Sequence, residues 1–196
     1  MLVRLGQEVQ EVPRGLAALA PPGPPLHDDE IRLEPLVQAD VPAFVEVIGD
    51  ADIVRFTRIP EGADEAFVRG WIKRYEDGWA DGSRAGFRIA GHDGMFLGFA
   101  AMVELDLERQ EGEIGYLVAP AARGRGIASR AVELLTRWGF DELGLIRLEL
   151  RIDVQNSGSE RVAERSGYRR DGILRNVHFK SGLRCDMAVW SRLSQD

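Results

Sequence analysis

The sequence has 196 residues, of which 44% are hydrophobic and 29% are charged, and its formal net charge is -7. This balance is typical of one globular domain with a real core, and the acidic charge argues against a general binder of nucleic acids or anionic membranes. The charge is compatible with a positively charged substrate. We expect neither a membrane span nor a secretory signal, because no apolar run is long enough and no basic leader precedes one.

The first 28 residues differ in composition from the rest and predict a proline-rich extension over residues 1–28. They lead into a polar His-Asp-Asp-Glu run, and their prolines include Pro13, Pro21, Pro22, Pro24 and Pro25. Such a segment is either a flexible tail or a segment that docks on its own domain or on a neighbour. Residues 29–196 are predicted to form a single domain.

The first half of this domain predicts the element order β-α-α-β-β-β. Apolar and charged residues alternate over residues 31–36, as in a half-buried strand, and Asp40 can cap the following helix. Residues 53–56 form either a short second segment or a loop. Three longer elements follow, a helix over residues 65–78 and strands over residues 84–90 and 95–104. The Asp93-Gly94 pair between these two strands is a strong hairpin signal.

A strand, a glycine turn and a helix follow over residues 113–134. Residues 113–118 suit a mostly buried strand, which Pro120 ends. Arg123-Gly124-Arg125-Gly126 then forms a tight basic turn, and apolar residues at helical spacing begin at Ile127. The first N–H groups of a helix have no partner within it, and the helix dipole adds partial positive charge. The turn therefore predicts a seat for an anion, typically a phosphate.

Two other phosphate-binding patterns fit this turn less well. A nucleoside triphosphate loop ends in Gly-Lys-Ser/Thr, which does not occur in the sequence. The dinucleotide fingerprint begins at Gly124, but Ser129 stands in place of its third glycine, and the turn lies past the middle of the chain. A nucleotide-dependent oxidoreductase is therefore the weakest of the functions that we consider.

The second half of the domain predicts one more helix and three strands. The helix begins at Asn156 and closes at Gly167-Tyr168. The strands cover residues 146–152, 170–175 and 184–193. The whole domain is thus predicted to be mixed α/β, with about seven strands and about four main helices.

Two motifs in this order resemble those of the GNAT acetyltransferase superfamily. Arg123-x-x-Gly126-x-Ala128 resembles the loop that binds the pyrophosphate of acetyl-CoA. Asn156-x-x-Ser159, followed by Gly167-Tyr168, resembles the helix beside the CoA arm. The resemblance implies a strongly twisted mixed sheet whose central strands splay apart to admit the pantetheine arm.

A third motif narrows the resemblance to one branch of the superfamily. Glu113-Ile114-Gly115-Tyr116, with Asp186 in the last strand, is similar to the ribosomal-protein N-terminal acetyltransferases, the RimJ/RimL-like branch. The three motifs together extend the resemblance over residues 31–193.

The resemblance implies that acetyl-CoA is the co-substrate. The turn amides would seat the pyrophosphate, Arg123 and Arg125 would add charge-assisted bonds, and Asn156 would orient the pantetheine amide. An amide near Leu117 or Val118, on the splayed strand, would stabilise the oxyanion of the transition state. The cofactor-binding residues implied in this way are Leu117, Val118, Arg123, Gly124, Arg125, Gly126, Ile127, Ala128, Ser129 and Asn156.

Three residues are candidates for proton transfer, two for the base and one for the acid. Glu113 is the first candidate for the base and Glu111 the second, although many family members are thought to use no dedicated base. Many GNAT enzymes carry a tyrosine seven positions after the asparagine as the acid, and this position is Ala163 here. The resemblance then makes Ser159 the candidate proton donor to the leaving sulfur.

The cysteine and histidine content bounds the remaining chemistry. Cys185 is the single cysteine, which excludes an intrachain disulfide, and we read it as a buried strand residue rather than a nucleophile. Only three histidines accompany it, so we predict no metal site. A single thiol is typical of a reducing compartment, which predicts a cytoplasmic protein.

The favoured function is an N-acyltransferase that moves an acetyl group directly from acetyl-CoA to a primary amine in a ternary complex. The acceptor is either a protein N-terminus or a small amine, selected by residues 50–82 and the last hairpin. The alternatives are a non-catalytic CoA-binding sensor or scaffold, and a transferase of a longer acyl group such as succinyl. We expect a monomer or a homodimer without nucleic-acid or membrane partners.

Overall fold

The computed structural model describes residues 18–196, and residues 1–17, with Pro13 of the predicted extension, lie outside the described residues. In the described part the α-helices are α1 (Val41–Ile48), α2 (Ala51–Phe56), α3 (Glu65–Asp81), α4 (Ile127–Asp141) and α5 (Ser157–Arg165). The strands are β1 (Leu26–His27), β2 (Ile31–Pro35), β3 (Ala85–Gly91), β4 (Phe96–Asp106), β5 (Glu111–Val118), β6 (Arg147–Asp153), β7 (Arg169–Lys180) and β8 (Leu183–Leu193). The order confirms a mixed α/β fold.

The strands form one sheet in the order β1-β2-β3-β4-β5-β6-β8-β7. All neighbours are antiparallel except β5 and β6, whose parallel pairing needs the crossover through α4. That pairing covers only residues 111–113 against residues 147–149. Beyond Glu113 and Glu149 the two strands diverge, which confirms the predicted splay in the middle of the sheet.

Aromatic side chains join the helices to the sheet. The Phe87 ring of β3 lies 5.3 Å from Trp79 of α3 and 5.5 Å from Trp138 of α4, measured between centroids. The Phe99 ring of β4 lies 5.1 Å from the ring of Tyr75. Burial of such large apolar surfaces is the main stabilising contribution of the core. This aromatic packing holds α3 and α4 in place against the sheet.

Aspartates begin two of the helices by capping them. Asp50 accepts a hydrogen bond from the Ile53 amide at 3.0 Å, and Asp64 accepts one from the Phe67 amide at 2.9 Å. Residues 53–56, for which the sequence allowed a short segment or a loop, are the last four residues of helix α2. The predicted cap at Asp40 is wrong, because its carboxylate instead accepts from the Val37 amide at 3.0 Å and pairs with Arg88.

The sheet has one strand more than the seven predicted. The additional strand β1 has two residues, too few for an alternating pattern, and pairs with β2. It lies in the predicted extension, where the Leu19 amide also donates to the Trp79 carbonyl at 2.8 Å. Asp28 forms an ion pair with Arg130 of α4 at 2.8 Å. Residues 19–28 therefore lie against the domain.

Candidate active site

A cleft of about 1050 Å³ opens where β5 and β6 diverge. The turn before α4 and the start of α5 line one end, and residues of α3, β4 and the segment after α2 line the other. All but one of the residues predicted to bind the cofactor line it, namely Leu117, Val118, Arg123, Gly124, Gly126, Ile127, Ala128, Ser129 and Asn156. Arg125 is exposed and does not line it.

The turn before α4 has the backbone form that exposes amides. Gly124 and Gly126 have φ values of 76° and 78°, in the left-handed region that favours glycine. No heavy atom lies within 4 Å of where a Cβ would stand at either position, so both face open space. Gly126 caps α4 without a side-chain bond, which leaves the amides at the helix start free for an anion.

Arg123 is held by two carboxylates at the start of α2. Its guanidinium donates to Asp50 at 2.5 Å and to Asp52 at 3.4 Å. The hydrogen bond from Arg123 holds the pKa of Asp50 below its usual value. An anion at the turn would therefore share Arg123 with Asp50, a relationship between distant segments that no local pattern predicts.

Two further arginines that we did not predict from the sequence line the same end of the cleft. Arg161 and Arg165 belong to α5 and lie four residues apart, on one face of the helix. That spacing was visible in the sequence, but an exposed pair of charges is also the ordinary surface of a helix. Their place in the lining adds positive charge to the cleft.

The divergence of β5 from β6 leaves alternate amides of β5 facing the gap. The Ala119 amide donates to the Leu97 carbonyl at 2.8 Å, and the Leu117 carbonyl faces Gly98, so both residues direct their backbone groups toward β4. Backbone direction alternates along a strand, so Tyr116 and Val118 direct theirs toward β6. Of the two residues named from the sequence, Val118 therefore faces the gap and Leu117 faces the sheet.

Asn156 and Ser159 meet at the first turn of α5. The Asn156 side-chain oxygen accepts a hydrogen bond from the Ser159 amide at 3.1 Å and so caps the helix. This leaves the Asn156 amide nitrogen as the group that can contact a ligand in the cleft. Ser159 is half-buried and lines the cleft.

Tyr116 is a residue whose side chain the sequence did not single out. Its hydroxyl is buried in the cleft wall and forms no hydrogen bond of normal geometry within residues 18–196, although the Ser159 side chain lies close enough to lower its pKa. Burial raises the pKa of Tyr116 to about 12, and the neighbouring Ser159 side chain partly offsets the rise. A buried hydroxyl without a partner is costly unless it serves a ligand or a reaction, so this one marks the site.

Glu113 lies at the vertex where the two strands separate. Its side chain is only 15% exposed, and the Nε atom of Arg151 lies 3.4 Å from its carboxylate. Burial raises the pKa of Glu113, the charges of Glu104 and Glu149 add to the rise, and Arg151 opposes it. Glu111, the second candidate for the base, lines a separate cavity of about 450 Å³ and not the main cleft.

The residues to which the sequence analysis gave no catalytic role, Ala163, Tyr168 and Cys185, do not line the cleft. Ala163 is fully buried, and the Tyr168 hydroxyl bonds the Thr136 hydroxyl at 2.8 Å inside the core. Burial raises the pKa of the Cys185 thiol, which disfavours a nucleophilic thiolate. In residues 18–196 no helix is long and apolar enough to cross a membrane, and no group of three or more His, Cys, Asp or Glu side chains is placed to hold a metal.

The chain is similar in sequence or in fold to proteins that are named as acetyltransferases. Over 144 residues the chain is 31% identical to a protein of Bacillus subtilis (strain 168) named as a ribosomal N-acetyltransferase, YdaF, covering 72% of this chain and 76% of that one. It is 27% identical over 152 residues to the spermidine N(1)-acetyltransferase of Escherichia coli (strain K12), covering 78% and 80%. The ribosomal L7/L12 α-N-protein acetyltransferase RimL, solved with coenzyme A, superposes with a TM-score of 0.74 at 17% identity, covering 85% and 95%.

The family model described as the acetyltransferase (GNAT) domain matches residues 30–169. This range contains the glycine turn, the diverging strands and the Asn156–Ser159 turn of α5. The chain therefore belongs to the GNAT acetyltransferase family.

Proposed function

We propose that this N-acetyltransferase transfers acetyl directly from acetyl-CoA to a primary amine, either the α-amine of a protein N-terminus or a small-molecule amine, with Glu113 as base and Ser159 as acid. The observation that carries this proposal is the gap between β5 and β6, which has an anion seat at one end and a buried carboxylate at its vertex. An α-amine has a reference pKa of about 8, so it needs less help to lose its proton than a lysine does.

Acetyl-CoA would lie along the gap with its pyrophosphate on the amides of residues 124–129. Arg161 and Arg165 stand beside this seat, and Arg123 reaches it from its pair with Asp50. The pantetheine arm would then hydrogen-bond the gap-facing backbone of β5 and the Asn156 amide nitrogen. This arrangement uses backbone groups that have no strand partner on the β6 side, so binding satisfies them without breaking the sheet.

The base would act through water. A strand advances by about 3.3 Å per residue, so the Tyr116 amide is about 10 Å and the Val118 amide about 16 Å along β5 from Glu113. A glutamate side chain spans only part of either distance, so we infer that ordered water relays the proton from the ammonium to Glu113. The nearer amide, that of Tyr116, then holds the thioester carbonyl.

The transfer itself forms one bond and breaks one. The neutral amine attacks the thioester carbon, the oxygen gathers negative charge on the strand amide, and the carbon–sulfur bond then breaks. The departing sulfur takes a proton from Ser159, and the adjacent Tyr116 hydroxyl resupplies it. The attacking nitrogen loses its second proton as it becomes an amide, and water returns that proton to Tyr116. The proton gained by Glu113 returns to solvent, so one proton leaves in each turnover.

A CoA-binding sensor is the second candidate, favoured by one observation. Ala163 occupies the position at which many GNAT enzymes carry their tyrosine, and the nearby Tyr168 is bonded inside the core. A sensor would bind CoA with the same turn but release no thiol. The cleft also has room for a longer acyl group, such as succinyl, so a transferase of such a group is a variant of the enzymatic hypothesis.

The test combines ligand binding with thiol release. Thermal shift with acetyl-CoA, succinyl-CoA and free CoA should show stabilisation that grows with ligand concentration. Release of CoA thiol should then follow addition of an amine panel, and Glu113→Gln and Ser159→Ala should each slow it. Stabilisation without thiol release from any amine would favour the sensor, and wild-type rates in both variants would remove the assigned base and acid.

A further inference from the structure

Three arginines surround the end of the cleft that lies beyond Glu113. Arg58 follows α2, Arg74 lies on α3, and Arg84 precedes β3, yet all three line the same cleft. Each of them also lowers the pKa of Tyr75, another residue of the cleft wall, against the effect of its burial. Three separate segments of the chain therefore each contribute a guanidinium group to the lining of this cleft.

None of these three arginines forms a salt bridge within residues 18–196, although Arg58 lowers the pKa of Glu113 and Arg84 that of Asp81. Other arginines of the cleft do form salt bridges, since Arg123 pairs with Asp50 and Arg151 pairs with Glu149 at 2.8 Å. Arg84 is half-buried, whereas Arg58 and Arg74 are exposed at the rim of the cleft. Guanidinium groups that line a cleft outside any salt bridge keep their donors available for a carboxylate ligand.

Packing rather than ion pairing holds two of the three in position. The Arg74 guanidinium lies 5.7 Å from the centroid of the Trp71 ring, on its face. The stem of Arg84 passes over Gly78, where an added Cβ would lie 1.9 Å from the Arg84 Cγ. Both side chains are thus held in place before a ligand binds, which favours binding because less side-chain entropy is lost.

The local charge differs in sign from that of the whole chain. The chain carries a formal net charge of -7. Around this end of the cleft, by contrast, three carboxylates, those of Glu104, Glu113 and Glu149, stand against four arginines, namely Arg58, Arg74, Arg84 and Arg151. A cleft with low-dielectric walls focuses such a local field. Its sign attracts an anion and repels a second cation on the acceptor.

We propose that the acceptor carries a carboxylate close to its amine, and that Arg58, Arg74 and Arg84 bind this carboxylate while the amine faces Glu113. The carboxylate belongs either to an acidic residue next to a peptide N-terminus or to a free amino acid. Polyamines are disfavoured, because their second ammonium would meet the arginines. This assignment rests on the acetyl transfer proposed above and specifies its acceptor.

Matched acceptors test the assignment. Peptides with the N-terminal sequences Ser-Asp-Asp, Ser-Asn-Asn and Ser-Lys-Lys, together with alanine, alaninamide and spermidine, would be compared by kcat/KM for thiol release. We expect the carboxylate-bearing member of each set to exceed the one without that carboxylate by about tenfold or more, as a charge-assisted bond provides, and the basic ones to be slowest. Added salt should shrink the preference. The peptide and amino-acid arms distinguish the two sources of the carboxylate.

Variants assign the preference to the three side chains. Arg58→Gln, Arg74→Gln and Arg84→Gln should each lower the ratio of kcat/KM for the acidic acceptor to that for the neutral acceptor several-fold, through the KM of the acidic acceptor. Arg69→Gln is the matched control, because Arg69 lies on α3, bonds Glu65 at 2.5 Å and does not line the cleft. Melting temperatures identify a variant that fails to fold, and Arg74, exposed on α3, is the safest of the three.

Two outcomes separate this assignment from the proposed function. If neutral acceptors are acetylated but acidic ones gain no advantage, or polyamines are preferred, the carboxylate site is overturned and the acetyl transfer stands. If no acceptor of either set releases thiol although acetyl-CoA binds, the acetyl transfer itself fails.

Discussion

The Nε atom of Arg151 lies 3.4 Å from the carboxylate of Glu113, at the vertex where β5 and β6 separate. The two residues act in opposite senses on proton affinity, since burial raises the pKa of Glu113 and Arg151 lowers it. Arg151 also pairs with Glu149, whose charge raises the pKa of Glu113. The strand pair that opens the cleft therefore also sets the pH range in which the base works.

Substitutions at these neighbours should move the acidic limb of the pH–rate profile in opposite directions. Removing the opposing cation with Arg151→Gln raises the pKa of Glu113 further, so the limb moves to higher pH. Removing the like charge with Glu149→Gln lowers that pKa, so the limb moves to lower pH. Because the Arg151 side chain is 40% exposed, we expect shifts of about 0.5 to 1 pH unit, at the low end for a charge pair.

The pH profile of kcat/KM for a saturable amine provides this measurement. Glu113→Gln should remove the limb, and Arg109→Gln, in an exposed pair with Asp106, serves as the control. Shifts of the same sign for Arg151→Gln and Glu149→Gln would contradict the assignment of the limb to Glu113.

Tyr116 and Tyr168 form a natural pair of variants, because both hydroxyls are buried and only one has a partner. Tyr116→Phe removes a hydroxyl without a partner, so stability should be unchanged or slightly higher, while kcat falls by about tenfold or more. Tyr168→Phe removes the bond to Thr136 and should cost about 1 kcal/mol of unfolding free energy, with kcat unchanged.

Chemical denaturation and steady-state kinetics separate these two expectations. Ser159→Ala should lower kcat at least as far as Tyr116→Phe, and the double variant should lose little more, because both groups serve one proton. Additive losses would indicate that Tyr116 acts independently of Ser159.

The strand, turn and helix over residues 113–134 were predictable because their signals are local. Alternation, a proline stop, glycines and helical spacing each act within a few residues, and the turn forms as expected. The cap at Asp40 failed for a tertiary reason, because Arg88 from β3 draws its carboxylate away.

The site could be predicted only where one segment carries it. Glu113 and the glycine turn lie in one stretch, whereas the Tyr116 hydroxyl gains its meaning from Ser159, which arrives after the crossover through α4 and β6. Likewise, the sequence alone suggests that Arg58 and Arg84 are ordinary surface charges, and only the fold shows that both line the cleft. The net charge is a sum over the whole chain, so it does not predict the sign of the charge in one part of the cleft.

Glycine 126 allows a test of the anion seat that separates backbone strain from ligand binding. Gly126→Ala places a side chain at a φ of 78°, which costs about 1 kcal/mol of stability and shifts the amides of the turn. Gly144→Ala imposes a similar strain at a φ of 67° outside the cleft. By calorimetry we expect CoA affinity to fall about tenfold or more in the first variant and to stay unchanged in the second. Equal affinities would exclude the turn as the diphosphate seat.

The pair between Asp50 and Arg123 predicts an effect of α2 on cofactor affinity. Asp50→Asn keeps a residue that can cap α2 but removes a negative charge that holds Arg123 and repels a diphosphate. We therefore expect CoA to bind several-fold more tightly at low salt, with the gain lost as salt increases. Asp64→Asn is the matched control, since it alters the cap of α3 in the same way and lies outside the cleft. Weaker binding by Asp50→Asn alone would instead mean that Asp50 positions Arg123 for the ligand rather than competing for it.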